Sequence, residues 1–273
     1  MNNCLRQIIK KITPPIFLDI FRRRISKYGF FGDFLTWKDA VNTSTGYNTN
    51  EIIKKVKQSL LKVKSGEAVY ERDSVLFDKI HYSLPLLAGL LWFASQKGNR
   101  LNLIDFGGSL GGSYFQNRKF LLHLKELRWN IVEQEKMVKC GKKYFESEYI
   151  KFHFSLDDCI KEQNPDAILL SGVIQYIEKP YDLLKKIINY GLEFIIIDRT
   201  AFIKGDKDRL AVQKVSPKIY TASFPARFFS ETKFLKYFER RYELVEEFDA
   251  LDKDSANIPS RYKCFIFKIK DIK

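Results

Sequence analysis

The sequence predicts an α/β protein with a doubly wound, mostly parallel sheet, and three observations carry that reading. A glycine-rich turn, Phe106-Gly107-Gly108-Ser109-Leu110-Gly111-Gly112, follows an apolar run at 101–105 that ends in Asp105. Apolar runs of strand length then alternate with stretches of helical period through residue 197. Glu133 closes the second run, about 20 residues beyond the glycines, the offset at which a Rossmann-type unit sets a carboxylate on a ribose diol. With 273 residues, 45% of them hydrophobic, the chain can bury a full core. Residues 1–98 read as an N-terminal helical cap and 99–273 as the sheet-bearing domain.

Residues 1–28 hold two helical patterns, 5–12 and 16–25, broken at Pro14-Pro15. Arg6, Lys10, Lys11, Arg22, Arg23, Arg24 and Lys27 there face only Asp19. Two readings stay open: an interfacial helix contacting an anionic membrane, or a solvated basic helix packing on the domain. Residues 29–48 read as a loop around a short helix at Trp37. Asn50 starts a helix striped by Ile52, Ile53, Val56, Leu60 and Leu61, and Gly66 ends it. Residues 74–95 suggest a long apolar helix kinked at Pro85, lying over the ligand edge of the sheet. Arg72-Asp73 reads as an ion pair or helix start, or as part of a lid.

After the glycine turn, Ser113 is expected to cap a helix whose stripe runs through Phe120, Leu121, Leu124 and Leu127. A second strand at 129–132, a helix ending near Phe145 and a third strand at 149–154 follow. The fourth strand, 166–170, ends at Ser171-Gly172, and a helix runs from Pro180 to Gly191. The fifth, 192–197, ends in Asp198-Arg199-Thr200, charges expected just beyond the strand. The stretch to Ser230 lacks a clear period and reads as a substrate loop. Ser230 caps a helix, and strands at 242–248 and 262–269 close an antiparallel edge hairpin.

Cys4, Cys140, Cys159 and Cys264 have neither disulfide nor metal spacing, and the three histidines are scattered, so a reducing cytosol and no metal are expected. The net charge of +14 fits nucleic acid, an anionic membrane or an acidic substrate. No secretory leader is evident, and the longest apolar run, 84–94, falls short of the roughly 20 residues that span a bilayer. The expected location is cytoplasmic, free or peripheral at the inner face of the membrane.

The turn excludes two nucleotide classes. Gly107 and Gly112 fit a P-loop, but Ser113 and Tyr114 stand where lysine and then serine or threonine are needed, so the phosphate-neutralising lysine is missing. The dinucleotide fingerprint fails at its central glycine, which is Ser109. Asp105, Gly107, Ser109 and Gly111 instead resemble the Asp-x-Gly-x-Gly-x-Gly loop of class I S-adenosylmethionine-dependent methyltransferases, departing at the serine. That resemblance implies S-adenosylmethionine as cofactor, held at its aminoacyl end by 107–111, Gly108 included. Glu133 suits the ribose, and Asp157 is implied for the adenine amine, though Asp157 and Asp158 also suit a simple helix start. Ser171 stands at the crevice. Tyr176 could lean on the sulfonium or be core.

Tyr70-Glu71-Arg72-Asp73-Ser74, Asp105-Phe106-Gly107-Gly108-Ser109-Leu110-Gly111, Val132-Glu133-Gln134, Gln175-Tyr176, Ile197-Asp198-Arg199-Thr200, Gln213 and Ile219-Tyr220 together resemble one bacterial family. It is the group of methyltransferases encoded in O-antigen and capsule gene clusters. The likeness spans nearly the whole chain, with a departure at Phe224-Pro225-Ala226-Arg227. It implies a Rossmann-like class I methyltransferase fold with a seven-stranded, mostly parallel sheet, S-adenosylmethionine contacts that include Gln134, and a role in surface-polysaccharide biosynthesis on a small-molecule or glycan acceptor. Asp198 is the first choice of base, and Arg199 would hold an anionic substrate group or anchor Asp198. Two other readings remain: a non-catalytic ligand-binding module of the same fold, and a nucleic-acid methyltransferase. Nucleic acid is not expected, because Ser171-Gly172-Val173-Ile174 replaces the Asp/Asn-Pro-Pro-aromatic stretch and no Pro-Cys nucleophile is present.

Overall fold

The computed structural model describes residues 27–46, 49–72, 74–217, 219–252 and 258–271. The basic helices expected within 1–28, Cys4 and Asp73 therefore lie wholly or almost wholly outside the described residues. In chain order the elements are β1 (Gly29–Phe31), α1 (Trp37–Asn42), α2 (Thr49–Ser65), β2 (Tyr70–Arg72), β3 (Val75–Phe77), α3 (Leu84–Gln96), β4 (Arg100–Phe106), α4 (Gly112–Leu121), β5 (Glu126–Val132), α5 (Glu135–Tyr144), β6 (Ile150–His153), α6 (Leu156–Gln163), β7 (Ala167–Ser171), a 3-10 turn (Ile174–Tyr176), α7 (Pro180–Tyr190), β8 (Phe194–Ile203), β9 (Arg209–Lys214), β10 (Ser223–Ser230), α8 (Glu231–Lys236), β11 (Tyr242–Asp249) and β12 (Arg261–Ile269).

Seven strands form the core in the order β6-β5-β4-β7-β8-β12-β11. The first five are parallel, while β12 runs antiparallel to β8 and β11 antiparallel to β12. This is the mostly parallel sheet with an antiparallel edge pair expected of the class I methyltransferase fold. Helices cover both faces, which is why the strands read as unbroken apolar runs: Phe194, Ile195, Ile196 and Ile197 are all fully buried. On one face α2, α3, α4 and α5 pack over Leu101, Leu103, Trp129 and Phe152. On the other, α6, α7 and α8 pack over Ile104, Ile168, Leu170 and Phe265. Between β4 and β7 the chain changes direction across the sheet, which leaves a crevice at their carboxyl ends. Among the described residues no helix is long and apolar enough to cross a membrane.

Three expectations are corrected. The stretch beyond residue 197 is not a long loop: β8 runs on to Ile203, β9 and β10 form an antiparallel pair, and β10 joins β8 in parallel at Phe229↔Phe202. With β1 added beside β9, the sheet reaches ten strands. Pro225 inside β10 disguised that strand, since proline cannot donate to a ladder. The long helix at 74–95 is instead a β2–β3 hairpin followed by α3, where Pro85 sits in the first turn and its missing N–H costs nothing. The cap region thus contains strands as well as helices. Finally, α4 is capped by Gly111, not Ser113, and ends at Leu121; Leu127 belongs to β5.

Candidate active site

A cavity of about 990 Å³ opens at the carboxyl ends of β4, β5, β7 and β8, lined there by Asp105, Val132, Ser171 and Arg199. Its floor is the glycine turn. The Gly107 N–H donates to the Val132 carbonyl at 2.9 Å, and the Gly111 N–H to that of Gly108 at 2.9 Å. The glycines answer the protein's own packing: a Cβ on Gly107 (φ +70°) would lie 2.3 Å from Val173 Cγ2, and one on Gly108 would lie 2.4 Å from the Asp105 carboxyl carbon. Ser109 is itself left-handed, at φ 53°. Its N–H donates to Glu133 Oε1 at 3.2 Å, and the Gln134 N–H donates to Glu133 Oε2 at 2.7 Å. Burial raises the Glu133 pKa, partly offset by these two backbone donors. Each carboxylate oxygen keeps a lone pair for a further donor.

Asp105 lies beneath the turn, 1% exposed, and accepts from Trp129 Nε1 at 2.9 Å. Burial pushes its pKa up to about 7; the Trp129 bond opposes this and the Glu133 charge adds to it. The folded carboxyl thus holds its proton more tightly than the unfolded chain, so its contribution to stability is full below about pH 4 and lost as pH rises to about 7. Asp105→Asn can keep the tryptophan bond without the charge. We expect its melting temperature to fall less than the wild type's between about pH 5 and pH 8, by a few degrees; parallel falls would show that Asp105 does not ionise unfavourably.

The opposite wall is built on a β-bulge. Ile197 faces Phe265 and Thr200 faces Lys263, so Asp198 and Arg199 together oppose Cys264. Arg199 takes φ 52° and its carbonyl accepts from Gln175 Nε2, while the Asp198 carbonyl accepts from the Gly172 N–H. The bulge divides the two charges. Arg199 lines the cavity and pairs with Asp252, donating from Nε at 2.6 Å and Nη2 at 3.2 Å. Asp198 is fully buried and does not line the cavity. Its Oδ2 accepts from Ser171 Oγ at 2.9 Å, and Cys264 lies against it. Burial raises its pKa to about 6, opposed by Arg199 and Ser171.

The expected direct contact between Asp198 and an acceptor is therefore corrected, and so is an Asp198–Arg199 pair holding the loop. Ser171 is the group between them that reaches the cavity. Its proton is committed to Asp198, so it presents oxygen lone pairs to whatever binds. Tyr176 also lines the cavity; its hydroxyl donates to Gln213 Oε1 at 2.7 Å and its ring meets Phe224 edge-on.

Asp105, Gly107, Gly108, Ser109, Glu133, Gln134, Ser171, Tyr176 and Arg199 share this cavity. Gly111 sits just beneath, at the cap of α4. Asp157 does not share it: exposed in the first turn of α6, it takes hydrogen bonds from Lys186 and Tyr190, which lower its pKa. Ser155 and Leu156, just before it, line the cavity instead. Asp252, which positions Arg199, was missed because nothing in its local sequence signals that the loop after β11 returns to the ends of β7 and β8. The excess charge is also localised. Neighbouring α2 and α5 carry nine lysines against Glu51 and Glu135, and Ile52, Val56 and Met137 of these helices line the cavity.

No family model matches the chain, and no curated protein matches it in sequence. Among solved structures it is similar to the N-terminal domain of EvdMO1 determined in the presence of SAH and D-fucose, at 13% identity and TM-score 0.46 over 82% of this chain and 98% of that one. It is also similar to an S-adenosylmethionine-dependent methyltransferase from Clostridium acetobutylicum ATCC 824, at 12% identity and TM-score 0.44 over 70% and 93%. A third likeness is to magnesium protoporphyrin IX methyltransferase from Synechocystis PCC 6803 with bound SAM, at 12% identity and TM-score 0.43 over 97% and 96%.

Proposed function

We propose that the chain is an S-adenosylmethionine-dependent methyltransferase acting on a hydroxyl of a surface-polysaccharide precursor. The observation that carries this reading is the glycine turn, folded over buried Asp105 and closed through Ser109 onto Glu133. It has the geometry for a nucleoside and no lysine for a triphosphate. Glu133 accepts the ribose hydroxyls, Gln134 flanks them, and Ser155 and Leu156 take the place of Asp157 at the adenine edge. Bound there, the cofactor supplies a methyl group on positively charged sulfur, which departs as a neutral thioether. The Tyr176 ring offers an aromatic face to that positive centre.

The acceptor half of the cavity is walled by Phe30, Trp37, Tyr220 and Phe224, which suit the apolar face of a sugar ring. Lys55 of α2 reaches the same wall, donating to the Ile219 carbonyl at 3.2 Å, and suits a phosphate-bearing precursor. Arg199, fixed by Asp252, orients the acceptor. Ser171 accepts the acceptor's hydroxyl proton while passing its own to Asp198, so Asp198 acts as base through Ser171.

Glu133→Ala is expected to weaken binding of S-adenosylhomocysteine by about 1.5 to 3 kcal/mol in calorimetry. Unchanged affinity would remove Glu133 from the ribose. A mass-shift screen of polysaccharide precursors with the full chain and S-adenosylmethionine should yield a singly methylated product; if only non-glycan acceptors are methylated, the polysaccharide assignment fails.

A further inference from the structure

We propose that Glu71 and Arg72 grip the charged amino-acid end of the cofactor, Glu71 taking its ammonium and Arg72 its carboxylate; this rests on the cofactor assignment above. The β2–β3 hairpin that carries them is fastened to α4, the helix that leaves the glycine turn. Gln116 Nε2 donates to the Tyr70 hydroxyl at 3.1 Å and also to the His81 carbonyl. Tyr70 is 4% exposed. Glu71 is 7% exposed yet lines the cavity. Its Oε2 accepts the Ser74 N–H at 3.1 Å, and its Oε1 lies 3.0 Å from where a Cβ on Gly112 would stand, at the start of α4. A carboxylate withdrawn from water in this way favours a cationic partner.

Arg72 supplies the opposite charge. It lines the same cavity, with its guanidinium 5.8 Å from the Phe77 ring centroid. Among the described residues no hydrogen bond or ion pair engages that guanidinium. Arg199, across the cavity, is by contrast held by Asp252. An arginine with an aromatic ring beside it and its donors unspent is suited to a carboxylate, which its fork can bind through two parallel bonds. Adjacent acid and base at the end of the cavity where the turn becomes a helix match a group bearing an ammonium and a carboxylate on one carbon.

The test is calorimetric titration of the full chain and its variants with two nucleosides. S-adenosylhomocysteine carries the amino-acid group; 5′-methylthioadenosine has the same nucleoside and sulfur without it. Arg72→Met should weaken S-adenosylhomocysteine at least about 10-fold and 5′-methylthioadenosine less than about 2-fold, with Arg72→Lys intermediate. Glu71→Gln should repeat the pattern, and because Arg72 is only half-buried, its variants guard the result against a folding failure. Equal losses for both ligands, or none, would overturn the pair: the first means a distorted pocket, the second that Arg72 serves the acceptor. If the wild type binds neither nucleoside, the cofactor assignment itself fails and takes this proposal with it.

Discussion

Asp198→Asn is expected to lower turnover about 100-fold or more while leaving S-adenosylhomocysteine affinity nearly unchanged, because the variant keeps the shape of the bulge and loses only the proton acceptor. Ser171→Ala should have a similar effect, since Ser171 lines the cavity and its hydroxyl donates to the Asp198 carboxylate. The pH profile separates this from a structural role. The relay needs ionised Asp198, whose pKa is raised to about 6. Wild-type kcat should therefore climb as pH rises through about 6 and level off above it, and the climb should vanish in Asp198→Asn. If Asp198 merely shaped the bulge, its loss would lower kcat at every pH and leave the profile intact. Near-normal turnover in Asp198→Asn would end the relay.

Gly107→Ala is expected to cost about 2 to 5 kcal/mol of stability, the largest single-methyl effect at the site. Two causes add. A left-handed backbone costs an L-residue roughly 1 to 2 kcal/mol, and a Cβ 2.3 Å from Val173 Cγ2 forces overpacking of about 1 to 3 kcal/mol. Gly66 provides the contrast: it ends α2 at φ +85° with nothing within 4 Å of an added Cβ. Gly66→Ala should thus show the backbone cost alone. The pair Gly107→Ala with Val173→Ala should recover the packing part and not the backbone part. Urea denaturation resolves these differences, and a Gly107→Ala no costlier than Gly66→Ala would refute the clash.

These two residues mark how far the sequence could be read. The turn from Asp105 to Gly112 was legible because its four glycines fall within six residues and follow an apolar strand, although part of their necessity lies in Val173, 66 positions away in a segment with no distinguishing pattern. Glu133 was legible because β4, α4 and β5 make one local unit with a fixed offset. The β8 bulge was not: Asp198 and Arg199 break an apolar run, so the strand seemed to stop where it only bulges. Their separation, one buried behind Ser171 and one facing Asp252, depends on β12 and the β11–β12 connection, which are distant in sequence. The extension by β1, β9 and β10 was hidden by Pro225 and by the shortness of β1. Asp157 matches the family layout in sequence, yet Lys186 and Tyr190 on α7 hold its carboxylate outside the cavity.

Titration of the full wild-type chain with S-adenosylhomocysteine, using NAD and ATP as comparison ligands, decides whether this cavity holds S-adenosylmethionine. Saturable binding at one site per chain, at least about 10-fold tighter than either comparison, is the predicted result. Binding of NAD or ATP in preference, or no binding of S-adenosylhomocysteine, would contradict it.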